Sequence, residues 1–175
     1  MRVLGVDPDS THTAWAIISG DDAQAVGVWK TKRSGAATTV RQLSMAMEEI
    51  LGESFDLVVV EGQQYHHGNS TPAKDLIKLA QISGGIAGLF MAGPGSKVVI
   101  PEPFEWKKTV KKTIHQTRTY RGLGLLSQVG AGYAYPTGCA GLAKVRGAGA
   151  LNMGDWKHVG DALGLAAYGS RLLRS

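Results

Sequence analysis

The chain of 175 residues has one cysteine, Cys139, so it can form no disulfide within itself and has too few thiols for a cysteine-built zinc centre. It has no apolar run near the roughly 20 residues that span a bilayer. Its N-terminus lacks the basic-then-apolar pattern of a secretory signal. These absences predict a soluble, cytoplasmic protein with no membrane partner. Charged residues reach only 19% against 43% hydrophobic, a globular rather than disordered balance. At this length one compact domain buries about two-thirds of its unfolded surface, so a single domain over residues 1–175 is expected, without a structural metal.

Acids are missing altogether from residues 106–154. That stretch carries eight of the 19 basic residues: Lys107, Lys108, Lys111, Lys112, Arg118, Arg121, Lys144 and Arg146. The remainder holds eleven basic against 14 acidic residues, so the net +5 is a basic patch on a mildly acidic body. A concentrated patch raises the local concentration of polyanions. The plainer alternative is a solvated, lysine-rich helix face. Trp106, His115 and Tyr120 lie among the cations and offer rings for stacking on bases or sugars, which favours nucleic acid.

Apolar runs at residues 2–7, 13–19 and 25–30 are separated by tight turns and predict an antiparallel meander. Over residues 38–51 the period becomes helical, with Thr38 or Thr39 as the N-cap. Residues 57–61 (LVVVE) predict a buried strand. Ser70-Thr71-Pro72 starts a helix to about Phe90, whose core face is Leu76, Leu79, Ala80, Ile86 and Phe90. Close helix–sheet packing is expected to offset the cost of Gly84-Gly85 within it. Residues 97–100 predict a last strand and residues 155–173 a final helix with Trp156, Val159, Leu163, Ala166 and Ala167 as its apolar stripe. The result is an α/β mixed sheet with helices on its faces. Residues 122–154 have nine glycines and little periodicity, which predicts a Gly-rich insertion that is functional or mobile.

Two of the strands end in an acid, Asp7 after VLGV and Glu61 after LVVV. On neighbouring strands about 4.8 Å apart they would face each other, and two close carboxylates need a proton or a cation between them. On the final helix Asp155, His158 and Asp161 follow at i, i+3 and i+6, along one face. Oxygen-rich sets with an imidazole suit magnesium or manganese, and a pair of such ions supports in-line phosphoryl displacement. Each residue also has a plainer role. An acid ending a strand often only forms a turn, Asp9 among them, and a lone histidine usually has a structural partner. Asp155 serves as N-cap or first-turn acid of the last helix. The adjacent His66 and His67 point different ways, which suits an exposed loop or DNA contact better than a metal.

The segments GVDPDSTHTAWAI, VVVEGQQY and DWKHVGDALGLA resemble the RuvC family of Holliday-junction resolvases, and its phage-type members most closely. That family belongs to the RNase H-like (retroviral integrase) superfamily. The resemblance implies an RNase H-like, five-stranded mixed sheet, its first three strands antiparallel, flanked by helices. It further implies a crossover junction endodeoxyribonuclease that acts as a homodimer, each protomer nicking one of two like strands of a four-way junction. Asp7, Glu61, His158 and Asp161 match the family's ligands to two magnesium ions, for which manganese substitutes. Lys107, Lys108, Lys111, Lys112, Arg118 and Arg121 lie where family members contact junction DNA, and Tyr65 is the nearest candidate for an aromatic wedge. A nucleoid-associated setting, with the gene carried by a phage, follows from the same resemblance.

Three other readings stand beside it. A less selective RNase H-like nuclease on branched, flap or hybrid substrates shares the metal chemistry. A non-catalytic junction-binding protein keeps the basic patch and uses the acids only to cap and bridge. GVDPDST also resembles the phosphate loop of the actin, Hsp70 and sugar-kinase superfamily, but that nucleotide cleft needs two lobes and this chain is too short for both.

Overall fold

The computed structural model describes residues 1–64, 72–93, 95–126 and 144–175. Tyr65, His66, His67, Ser70, Thr71 and Cys139 lie outside the described residues, as does the central part of the Gly-rich segment.

The strands β1 (Arg2–Asp7), β2 (His12–Ser19) and β3 (Asp22–Lys30) form the expected antiparallel meander, with Val3 opposite Ile18 and Asp7 opposite Ala14. Strand β4 (Leu57–Val60) runs parallel to β1, placing Val60 beside Val6, and β5 (Val98–Val99) runs parallel to β4. The sheet order is β3-β2-β1-β4-β5. This is the five-stranded mixed sheet of the RNase H-like architecture. Strands β1 and β4 are almost wholly apolar because helices cover both faces of the sheet, the usual condition of parallel pairs.

Side chains alternate between the two faces with a period of two. Leu4, Val6, Val58 and Val60 enter one core with Leu43, Ile82, Ile86 and Phe90. Val3, Leu57 and Val59 enter the other with Trp156, Val159, Leu163 and Ala166. Asp7 shares the parity of Val3, and Glu61 that of Leu57 and Val59. Both acids therefore project from the sheet ends toward the second core.

The first core is closed by α1 (Ala36–Ala46), the short α2 (Glu48–Leu51) and α3 (Ala73–Met91). The single helix expected over residues 38–51 breaks at Met47 (φ −92°, ψ 0°), and its N-cap is Gly35 rather than Thr38 or Thr39. Thr39 is instead buried, its hydroxyl 3.1 Å from that of Ser34. In α3 the buried side is Ile82, Ser83, Ile86, Ala87 and Phe90, whereas Leu76 and Leu79 are half-buried and Ala80 is exposed. Gly85 permits close packing on another helix, not on the sheet: a Cβ there would stand 2.6 Å from Val40 Cγ2 of α1.

The second core belongs to α6 (Met153–Leu172), with α4 (Pro103–Lys107) and α5 (Lys112–Gly122) lying against it. Asn152 caps α6 by accepting from Asp155 N at 2.9 Å, and Asp155 accepts from Asn152 N in return, a reciprocal capping box. The helix thus begins two residues earlier than expected, and Asp155 is its first-turn acid. Gly5 lets α6 lie directly on β1, since a Cβ there would stand 2.1 Å from Ala162 O. Gly160 admits Gln116 and Tyr120 of α5 in the same way. Trp106 and Tyr120 are consequently buried, with Tyr120 donating to Trp156 O, so these rings cannot stack on bases. Within the described part of the Gly-rich segment, Arg146 bridges to the outer edge of β3 at Ala25, and a 3-10 turn follows at Ala148–Ala150. No helix among the described residues is long and apolar enough to cross a membrane.

Candidate active site

The C-terminal ends of β1 and β4 meet the N-terminal half of α6. Backbone pairing sets the first two ligand candidates side by side: Glu61 N donates to Val6 O at 3.0 Å, one step beyond the Val6–Val60 register pair. From α6, His158 and Asp161, three residues apart, project to the same place. His158 Nδ1 lies 3.6 Å from Asp7 Oδ2. Asp7, Glu61 and Asp161 are each less than 10% exposed, so three carboxylates share a poorly hydrated corner. All four predicted acid and imidazole residues are therefore brought together.

Two lysines expected to contact DNA also reach the acids. Lys107 Nζ, at the end of α4, stands 3.2 Å from Glu61 Oε1. Lys112 Nζ, at the start of α5, pairs with Asp161 Oδ2. Gln116, one turn further along α5 and buried, donates from Nε2 to Asp161 Oδ1 at 2.9 Å and to Lys157 O at 2.7 Å. Sequence reasoning missed Gln116. The signal was its i, i+4 spacing from Lys112, which aims both side chains at one carboxylate once α5 lies on α6. His12, at the start of β2, was missed too; its ring lies over His158 with centroids 6.3 Å apart.

Burial pushes the Glu61 carboxyl up to about 8, reinforced by the Asp7 charge beside it and opposed by Lys107. Asp161 is raised for the same two reasons, burial first and then Asp7, against Lys112. His158 is raised chiefly by its hydrogen bond to Asp7. Burial pushes Lys112 down, but the charge and hydrogen bond of Asp161, with Asp7 and Glu61 behind them, together leave it raised. At Asp9 burial pushes upward, but backbone donors from Thr11 and His12 outweigh it and leave the carboxyl below its ordinary value. Asp9 is the expected turn residue, accepting from Thr11 N at 2.8 Å. Asp155 is likewise structural, paired with Lys30 at 3.4 Å.

The remaining cations stay outside the cluster. Lys108 lies over the Phe104 ring at 5.6 Å, while Lys111, Arg118 and Arg121 are exposed along α5. Arg146 pairs with Glu53 at 3.4 Å, away from the acids.

The donor chemistry fits a hard divalent cation. Three carboxylates and an imidazole are the ligand types magnesium and manganese accept. Burial and then the Asp7 charge raise the carboxyls of Glu61 and Asp161, and the two ammonium groups offset part of that cost. As the side chains stand, no three acid, imidazole or thiol groups among the described residues surround one point as a formed metal site. Glu61 and Asp161 turn to lysines and His158 to Asp7, so these contacts must loosen for the donors to close on an ion.

No protein-family model and no curated protein sequence matches the chain. Solved structures do. Thermus thermophilus RuvC, solved in complex with a Holliday-junction substrate, superposes with a TM-score of 0.66 at 19% identity, over 98% of this chain and 96% of that one. A second structure of Thermus thermophilus RuvC agrees to the same extent. A fowlpox virus resolvase, solved with substrate Holliday-junction DNA, gives 0.55 at 17% identity over the full length of both chains. Over its whole length the chain is similar in fold to RuvC and to the fowlpox virus resolvase.

Proposed function

We propose that the chain is a structure-selective DNA endonuclease that resolves four-way junctions by paired, symmetric nicks. The observation that carries this reading is the convergence of Asp7, Glu61, His158 and Asp161 at one end of an RNase H-like sheet, beside cations on α4 and α5. Two of the solved structures similar in fold were obtained with junction DNA, which supports the substrate class. Residues 1–175 act as one nuclease domain, working on DNA in the cytoplasm of a bacterial host, in the nucleoid, with a phage as the gene's carrier.

The four residues would hold two magnesium ions, with manganese as a substitute. When bound, the ions supply charge for the attacking water and the leaving oxygen of phosphodiester hydrolysis. The chain's own groups do the rest. Gln116 fixes one oxygen of Asp161, leaving the other for a cation. Lys107 and Lys112, released from the carboxylates, are placed to meet the phosphates of the strand being cut. Lys108, Lys111, Arg118 and Arg121 extend that contact along α5, and Tyr65 is the wedge candidate at the junction centre.

Paired cuts on like strands require two sites related by a two-fold axis, so the acting form is a homodimer. Helix α3 supports this: Ile77, Ala80, Gly84, Gly88 and Met91 recur at helical spacing and are all exposed.

Asp7→Asn tests the reading directly. Magnesium-dependent nicking is expected to disappear while junction binding persists, because the variant removes one ligand and one negative charge near the phosphate. Full cleavage by this variant rules out the assigned site. Nicking of flaps or RNA–DNA hybrids as fast as junctions, at equal salt, points to a less selective nuclease.

A further inference from the structure

A cavity of about 460 Å³ lies where the C-terminal turns of α5 and α6 meet the β2–β3 turn, at the opposite end of the sheet from Asp7. Apolar side chains of Ile18, Leu123 and Ala167 line it, and Arg118, Arg171 and Arg174 bring guanidinium groups to it. Only Arg174 has a carboxylate partner among the described residues, Asp21 Oδ1 at 2.8 Å, and that aspartate is 80% exposed. The guanidinium groups of Arg118 and Arg171 make no hydrogen bond or ion pair with any described residue.

Arginines in a last helical turn also offset the carbonyl end of the helix dipole. That role requires neither a concave surface nor convergence from two helices, and it leaves most of the five donors of each guanidinium unused. Planar forks converging on a half-apolar cavity suit a phosphoryl group with an organic remainder. His115 forms part of the wall, edge-on to Trp106 at 5.0 Å. Burial, and then the charges of Lys107, Arg171 and Arg118, push its imidazole down to about 4.

Arg118 in the cavity wall also belongs to the cationic side of α5. Lys111 and Arg118 are seven residues apart and so share one helix face, with His115 between them. Along α6, Asp161 and Arg171 are separated by about 15 Å, roughly the length of four base pairs.

We propose that this cavity is a second phosphate site, in which Arg118 and Arg171 hold the phosphate of a nucleotide while Ile18, Leu123 and Ala167 accept its sugar or base. The phosphate comes either from the backbone of a bound DNA strand or from a free nucleotide.

The test uses the full chain without divalent ions. Inorganic phosphate and dAMP are titrated while the ring resonances of His115 are followed by NMR. A saturable shift is expected, with the imidazole rising from about 4 as the anion offsets the guanidinium charge. Arg171→Gln, an exposed position whose change leaves the core untouched, should weaken binding by about tenfold or more. In parallel, junction binding is measured against salt. A slope of log K on log salt lowered by about one in Arg171→Gln assigns the site to the DNA backbone. An unchanged slope with dAMP binding lost assigns it to a free nucleotide. Either a saturable His115 shift or a lowered slope supports the site, and the absence of both overturns it. Because no readout involves nicking, failure here is distinct from failure of the nuclease reading.

Discussion

Glu61 closes an apolar strand, so its carboxylate has little water to draw on and Asp7 for a neighbour. With a carboxyl near 8 against an ordinary 4.5, the folded chain binds a proton there that the unfolded chain has released. The contribution of this group to stability therefore falls as pH rises from about 4.5 through 8, since over that range the folded state holds more protons. A divalent cation held there would replace the proton. Magnesium binding at pH 7 is thus expected to release protons and to tighten with pH toward 8, measurable by calorimetry in two buffers of different ionisation enthalpy. Binding without proton release contradicts the assignment of Glu61 as a ligand. His158 has the opposite sign: its contact with Asp7 is fully present below about 6.5 and weakens as pH rises through its elevated folded value. Gln116 acts through Asp161. Gln116→Leu keeps the volume but removes both hydrogen bonds, and manganese affinity by electron paramagnetic resonance is expected to fall by about tenfold or more. An unchanged affinity removes Gln116 from the site. Asp7 and Glu61 were legible because an acid ending an apolar run is an exception that asks for a reason. The pairing of Lys107 with Glu61 and of Lys112 with Asp161 was not, since it depends on how two polar helices settle on a third.

At the scale of elements, the candidate site depends on how closely α6 approaches the sheet, and Gly5 sets that approach. Gly5→Ala places a methyl group against Ala162 O and Ala166 N, so α6 must move away. A loss of about 1–3 kcal/mol in thermal unfolding is expected, together with weaker magnesium binding although no ligand is altered. Wild-type stability in this variant contradicts the packing described. The strands were legible from their apolar runs, and α3 and α6 from helical spacing beside clear start signals. The break at Met47 carries no glycine or proline to announce it. Helices α4 and α5 were hidden for a different reason: their cations suggested a surface, whereas Trp106 and Tyr120 are buried only because Gly160 and Gly164 leave room for them on α6.

At the scale of the whole molecule, paired cutting needs two protomers, and the exposed stripe of α3 is the surface assigned to their contact. Nothing lies within 4 Å of a Cβ built at Gly84 or Gly88, so Gly84→Arg is compatible with the folded protomer. Light scattering is expected to show a dimer that becomes a monomer in this variant, with cleavage reduced to unpaired nicks. A wild-type monomer whose mass is unchanged on adding junction DNA contradicts the dimer. The central claim is tested most directly by offering the purified chain a synthetic four-way junction, each strand labelled in turn, with magnesium and with EDTA. Symmetric, ligatable nicks on two like strands, in magnesium alone, are the predicted result. Junction binding with no nicks in magnesium or manganese, or nicks at unrelated positions, contradicts it.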